Sequence, residues 1–357
     1  MTPPVSVSLI TGFLGAGKTT LLNGLLKQGA LKDTALIINE FGDVGIDHLL
    51  VETADEDIVE LSDGCLCCTI RGDLVDTLTR LLARPEQLSR IIIETTGLAD
   101  PAPILHAVMG HPVLADRLRL DGVIAVVDAV NGMATLDNHS EAVKQVAVAD
   151  RIVLTKTDLV TMDAKLAARL KALNPTAQVF AEQEPRVDDL FNCGLYNPET
   201  KSFEVRQWLN EEQLSNGEHH EHHHDVNRHD RRIRAFSLVS SEFVDAPALT
   251  AFIDLMRSAH GPQLLRVKGI IAMRDSPERP VVIHGVQDVF HPPATLPAWP
   301  DEDRRTRLVM ITKDLSREYV EKLFDALMGH VRTDTPDRVA LEQNPLAVPG
   351  HSGSFKS

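Results

Sequence analysis

The stretch Gly12-Phe13-Leu14-Gly15-Ala16-Gly17-Lys18-Thr19 has the spacing G-x-x-x-x-G-K-[ST], which belongs to a loop that wraps a phosphate group. Glycines let backbone N–H groups curl around an anion with no Cβ in the way. A helix that begins in the loop adds the positive end of its dipole. The Lys18 ammonium can reach the β- and γ-phosphates of a nucleotide, and the Thr19 hydroxyl can ligate Mg²⁺. Gly12, Gly15, Ala16, Gly17, Lys18, Thr19 and the following Thr20 are the candidate nucleotide-binding residues of this loop.

Two further segments fit a bound nucleotide. Thr155-Lys156-Thr157-Asp158 follows an apolar run. A carboxylate at Asp158 can accept hydrogen bonds from guanine N1–H and N2–H₂, a donor pair that adenine lacks. The Lys156 stem can lie along the purine face. Thr155, Lys156 and Asp158 thus point to guanine, although the same four residues would also make a solvated loop. Glu94-Thr95-Thr96-Gly97 ends the run Ile91–Ile93. There Glu94 is placed to hold Mg²⁺ or its water, and Gly97 lets its backbone approach the γ-phosphate as a switch. The bland reading of Glu94–Gly97 is a cap for the helix after Pro101. Asp128 ends another apolar run with a less specific role.

Gly64-Cys65-Leu66-Cys67-Cys68 is a second chemical signal. Thiolates are soft ligands suited to Zn²⁺, Cu⁺ and, with other donors, Co²⁺ or Fe²⁺. Three thiols from one short loop do not readily close a tetrahedral site. A fourth ligand comes from elsewhere, or the site stays open, which suits delivery better than storage. Glu40 or Asp43 can supply an oxygen. Inert buried thiols or a redox pair are the alternatives. The run His219, His220, His222, His223 and His224 reads either as a weak metal collector or as a polar linker. Cys193 stands apart and reads as a packed residue.

These residues need elements to carry them. Short apolar runs at Val5–Ile10, Ala35–Asn39, Ile58–Leu61, Ile91–Glu94, Val123–Val127, Ile152–Thr155 and Val179–Ala181 alternate with helical patterns such as Thr19–Leu26, Leu74–Leu82 and Glu141–Ala149. That alternation predicts an α/β unit over residues 1–182 with a mostly parallel sheet covered on both faces. Ligands then gather at the carboxyl ends of its strands. Residues 183–232 form a His-rich linker by composition, with a short helix expected over Val205–Leu214. A small α+β unit over 233–330 follows, with strands Ile233–Val239, Leu264–Ala272, Val281–His284 and Arg307–Ile311 and helices Ala246–Ser258 and Glu318–Met328. Residues 331–357 read as a loose tail.

Composition sets the outer bounds. The chain has 357 residues, 43% hydrophobic, enough for two domains with real cores. Thirty-six basic residues against fifty-one acidic ones give a net charge of −15, which argues against nucleic acid or an anionic membrane as partner. No apolar run approaches the ~18 residues of a membrane span. The opening Met1-Thr2-Pro3-Pro4 leads straight into a strand pattern rather than a signal peptide. Three of the four cysteines crowd into Cys65–Cys68, which is unlike a secreted disulfide framework. The expected location is cytosolic.

Taken together, Gly12–Thr19, Asn39-Glu40-Phe41-Gly42-Asp43-Val44-Gly45-Ile46-Asp47, Gly64–Cys68, Glu94–Gly97 and Thr155–Asp158 resemble the CobW-type GTPases, within the wider group of metal-centre assembly GTPases. Residues ~233–328 are similar to the CobW C-terminal domain. The resemblance implies a P-loop NTPase fold and GTP hydrolysis coupled to insertion or transfer of a transition metal. Zinc is the leading cargo, with cobalt or iron as the alternative. It implies catalytic roles for Lys18 and Glu94, and cargo binding by Cys65, Cys67, Cys68 and Glu40. GTP, Mg²⁺ and Zn²⁺ (or Co²⁺) are the implied cofactors. A client metalloprotein is the implied partner, with homodimerisation as a further arrangement. A GTP-switched metal sensor or store is the rival from another class.

Overall fold

The computed structural model describes residues 4–28, 31, 33–38, 58–60, 69–84, 88–160, 163–181, 187–191, 193 and 232–328. The candidate ligands Glu40, Cys65, Cys67, Cys68, His219, His220, His222, His223 and His224 lie outside these residues, as do Asp43, the segment 205–214 and the tail.

The first unit alternates strands and helices. In chain order it runs β1 (Val5–Gly12), α1 (Lys18–Lys27), β2 (Thr34–Ile38), β3 (Ile58–Glu60), α2 (Thr69–Leu82), β4 (Arg90–Glu94), α3 (Ala102–Gly110), α4 (Pro112–Ala115), β5 (Leu118–Asp128), α5 (Gly132–Asn138), α6 (Ser140–Val148), β6 (Arg151–Thr155), α7 (Ala164–Leu173), β7 (Gln178–Ala181) and α8 (Val187–Leu190). The strands form one parallel sheet in the order β3-β2-β4-β1-β5-β6-β7. Successive residues of a strand face opposite ways. Val7, Leu9, Ile91 and Ile93 therefore meet α2 and α3 on one face, while Ile10 and Ile92 meet α1 on the other. Burial on both faces explains why these strands read as unbroken apolar runs.

The C-terminal unit comprises β8 (Ile233–Ser240), α9 (Ala246–His260), β9 (Leu264–Ile271), β10 (Val281–Val286), β11 (Val289–Phe290), β12 (Ala294–Thr295), β13 (Thr306–Lys313) and α10 (Arg317–Leu327). Its sheet is antiparallel, in the order β11-β10-β9-β13-β8, with β12 pairing β10. Phe252 of α9 and Phe324 of α10 meet edge to face at 5.3 Å between ring centres over this sheet. The opposite face presents Leu265, Val286 and Ile311 to the core of the first unit.

Charge also crosses that seam. Asp150, just before β6, is ion-paired with Arg266, and Lys268 Nζ lies 3.2 Å from the same carboxylate. Arg266 Nη1 also donates to the Val148 carbonyl at 3.1 Å. Burial opposes ionisation of Asp150, but Arg266 and Lys268 outweigh it and hold the carboxyl below its usual range. Lys268 is the second cation on one carboxylate, so burial wins there and its pKa is lowered.

Candidate functional site

The phosphate loop joins β1 to α1 at the carboxyl edge of the parallel sheet, where ligands of such folds gather. Its backbone is left-handed at Gly12 (φ 148°), Gly15 (φ 72°) and Gly17 (φ 94°). At Gly12 the requirement is also steric, because a Cβ would run into the Val126 carbonyl of β5. Lys18 is buried and folds back over the loop, its Nζ donating to the Gly12 carbonyl at 3.1 Å. Thr20 is exposed on the first turn of α1.

Thr19 and Glu94 meet across the site. Thr19 Oγ1 donates to Glu94 Oε1 at 3.0 Å, and Glu94 is only 3% exposed. A hydroxyl and a buried carboxylate side by side at the end of a phosphate loop are the hard oxygen donors that Mg²⁺ takes. These residues fit the ion that the sequence implies. Behind Glu94, Thr95 Oγ1 donates to Thr11 Oγ1 at 3.0 Å and the Thr95 amide to the Ile10 carbonyl at 2.9 Å. Both contacts lock β4 to β1. Gly97 then lies directly on the phosphate loop, where a Cβ would come within 2.5 Å of the Leu14 amide nitrogen.

Thr155 has a different place from the one its motif suggests. It is 1% exposed, and its hydroxyl donates to the Ala16 carbonyl at 2.6 Å. It therefore binds the phosphate loop rather than facing an open base site. Lys156 is left-handed (φ 58°) and its Nζ pairs with Asp128 Oδ2 at 2.7 Å. Asp158 is exposed two residues on. Asp128 is a site residue whose role the sequence left unspecific. It ends β5, accepts from the Val130 amide at 2.7 Å and from Asn131 Nδ2 at 2.8 Å, and holds Lys156. Burial opposes its ionisation, but Lys156, the Asn131 side chain and the two amides keep its carboxyl below the usual range.

A cavity of about 250 Å³ lies beside the loop, between Phe13–Ala16, the end of β5 and helices α5 and α6. Phe13 stacks on His139 with ring centres 4.3 Å apart. From α6, Gln145 Nε2 donates to the Gly97 carbonyl at 3.2 Å and to the Ala99 carbonyl at 3.1 Å. Neither Gln145 nor His139 carries a motif that could have flagged it. Among the described residues, no group of three or more His, Cys, Asp or Glu side chains can hold a metal ion. Cys193 is 2% exposed and its thiol donates to the Leu190 carbonyl at 3.4 Å, as expected of a packed residue. No described helix is long and apolar enough to cross a membrane.

Comparison with known proteins agrees with this geometry. Residues 6–181 match the family described as CobW/HypB/UreG, nucleotide-binding domain, and residues 233–328 match the cobalamin synthesis protein cobW C-terminal domain. The zinc chaperone YjiA of Escherichia coli is 34% identical over 328 residues, covering 91% of this chain and 99% of YjiA. The zinc chaperone CobW of Sinorhizobium sp. is 32% identical over 360 residues, covering 91% and 97%. The crystal structure of the Zn(II)-bound YjiA GTPase from E. coli superposes with a TM-score of 0.65 at 27% identity, covering 91% of this chain and 99% of that one. With both of its sheets and its phosphate loop accounted for in this way, the chain belongs to the CobW/HypB/UreG family and carries the CobW C-terminal domain.

Proposed function

We propose that this protein hydrolyses GTP and uses the cycle to load zinc onto a client metalloprotein. The observation that carries the reading is the Thr19–Glu94 pair at the mouth of the phosphate loop, in a chain whose relatives over nearly their whole length are named zinc chaperones. In this reading the amides of Gly15 to Thr19 and the Lys18 ammonium hold the β- and γ-phosphates. Water attacks the γ-phosphorus, the bond to the β–γ bridging oxygen breaks, and GDP and phosphate leave. Lys18 neutralises charge that grows on the phosphoryl oxygens and the leaving group. Thr19 and Glu94 would hold Mg²⁺, which supplies further charge neutralisation when bound. Asp158 accepts from guanine, and Asp128 sets Lys156 beside the purine.

The cargo set in this reading is Cys65, Cys67 and Cys68 with Glu40, and His219, His220, His222, His223 and His224 form a weaker collector. The division at residues 182, 232 and 330, a homodimer and a cytosolic location complete it. A YjiA variant with one glutamate and two cysteines replaced by alanine has also been crystallised Zn(II)-bound. A zinc signal alone therefore does not locate the site, and activity must be the readout. The test is phosphate release from GTP with and without Zn²⁺, in the parent, in Lys18→Ala and in a Cys65/Cys67/Cys68→Ser variant. Zinc should alter the parent rate, leave the serine variant unaffected, and find no turnover to alter in Lys18→Ala. A serine variant with the parent's zinc response would remove the cysteine loop from the reading.

A further inference from the structure

The loop after Glu94 is held from two directions, by side chains outside the phosphate loop. From α6, Gln145 is 1% exposed and its Nε2 reaches two loop carbonyls, Gly97 at 3.2 Å and Ala99 at 3.1 Å. The next loop residue, Asp100, receives Lys144 Nζ of α6 on Oδ2 at 3.0 Å. Its Oδ1 caps α3 by accepting from the Ala102 amide at 3.1 Å. The same Oδ1 accepts from Gln287 Nε2 of the C-terminal unit at 3.4 Å.

Gln287 occupies the tight turn between β10 and β11 in a left-handed conformation, φ 53°. Its neighbour Asp288 pairs with His106 of α3. The C-terminal unit thus touches the loop through one turn, and that turn is pinned beside it. Helix α6 is itself fastened to the same unit at its far end, where Arg266 binds the Val148 carbonyl and Asp150. Gly97 lies on the Leu14 backbone with no room for a side chain. A shift of the phosphate loop at Leu14 would therefore press on this segment.

We infer that Gln145 and Gln287 are positioning residues for GTP hydrolysis: together they set the Gly97–Asp100 segment against the phosphate loop, so that the C-terminal domain takes part in placing it. The inference rests on the reading of Glu94–Gly97 as the nucleotide-responsive segment. The donors reach two loop carbonyls from Gln145 and the Asp100 carboxylate from Gln287. They act on rate where the loop must hold one geometry in the transition state. Two packed elements that share one loop also give the loop discrete rather than continuous settings.

The test compares GTP hydrolysis in full-length Gln145→Met, Gln287→Ala and Gln287→Lys. Methionine fills the same space and donates nothing, whereas lysine restores a donor toward Asp100. Loss confined to the transition state lowers kcat and leaves KM alone. In Gln145→Met, kcat should fall about tenfold with KM within about threefold of the parent. In Gln287→Ala it should fall about threefold, with recovery in Gln287→Lys and an unchanged thermal transition. Parent kcat in either folded variant overturns the inference, as does a rise in KM at constant kcat. If Gln145→Met does not fold, the two variants of Gln287, at a turn, carry the test alone. Lys18→Ala is the control for the underlying reading: parent turnover there overturns the nucleotide site itself, whatever the glutamine variants do.

Discussion

The Thr155 hydroxyl donates to the Ala16 carbonyl at 2.6 Å, joining the end of β6 to the phosphate loop 139 residues away in sequence. The Thr155–Asp158 segment and the phosphate loop are therefore tied directly to each other. Thr155 also comes within 3.4 Å of the Val127 carbonyl, so the end of β5 shares the same anchor.

Removing that hydroxyl tests the arrangement. Thr155→Val keeps the shape but leaves the buried Ala16 carbonyl without its donor, which costs about 1–2 kcal/mol. GTP affinity should fall about tenfold, and ATP binding should weaken in parallel because the damage is to the phosphate loop. Parent affinity for both nucleotides, measured by titration calorimetry, would show that the contact is incidental.

Asp158 makes the opposite prediction. It is exposed at the open end of the same segment, so Asp158→Ala should leave folding and phosphate binding intact. Guanine would lose two hydrogen bonds to a charged acceptor, about 1.5–3 kcal/mol each. Preference for GTP over ATP should then collapse. A variant that still selects GTP would place guanine recognition elsewhere.

The buried Asp150 joins the two units and should dominate the acid side of stability. Its folded pKa lies below its unfolded value. The stabilisation is therefore present above the ordinary aspartate range, about pH 4, and is lost as pH falls from there through the folded pKa. Asp150→Asn leaves Arg266 and Lys268 buried without their carboxylate and should cost about 3–5 kcal/mol at neutral pH. Part of the parent's acid dependence should vanish with it. The exposed pair Arg274–Asp245 is the control, where Arg274→Gln should cost less than about 1 kcal/mol. Equal costs in denaturant unfolding would mean the seam is not held by charge.

The parallel sheet and the phosphate loop were legible because their causes are local. Ile91–Ile93 is a continuous apolar run closed by Glu94, and the structure starts that strand one residue earlier, at Arg90. The apolar pattern predicts β5 from Val123, and the strand begins at Leu118. Asp121 and Gly122 interrupt the apolar pattern there. In the fold Asp121 is 7% exposed and accepts from Ser8 Oγ of β1 at 3.0 Å, beside the register shift at Val7/Ser8. A polar residue can sit in a buried strand when a distant partner satisfies it, and no window of sequence shows that partner. Helix α7 carries its own local signals: Leu166, Leu170 and Leu173 are spaced for one face, and Asp163 caps it through the Lys165 amide. The site divides in the same way. Lys18, Thr19, Glu94 and Asp158 announce themselves by motif, whereas Asp128 and Gln145 carry none, and their partners Lys156, Ala99 and Gly97 lie 28, 46 and 48 residues away in sequence.

The most direct test of the whole account is the affinity for Zn²⁺ in three states of the protein: loaded with a non-hydrolysable GTP analogue, loaded with GDP, and free of nucleotide. Cysteine thiols must shed their protons to bind zinc as thiolates. A segment ordered by nucleotide at Glu94–Gly97 should therefore be felt at Cys65–Cys68 as a change in affinity. The account predicts that titration calorimetry gives affinities differing by about 5- to 150-fold between the GTP-analogue and GDP states. Bound zinc should change the analogue's affinity relative to GDP's by the same factor, and the difference should disappear in the Cys65/Cys67/Cys68→Ser variant. Identical zinc affinities in all three states would contradict a GTP-driven chaperone and leave a protein that stores or senses the metal.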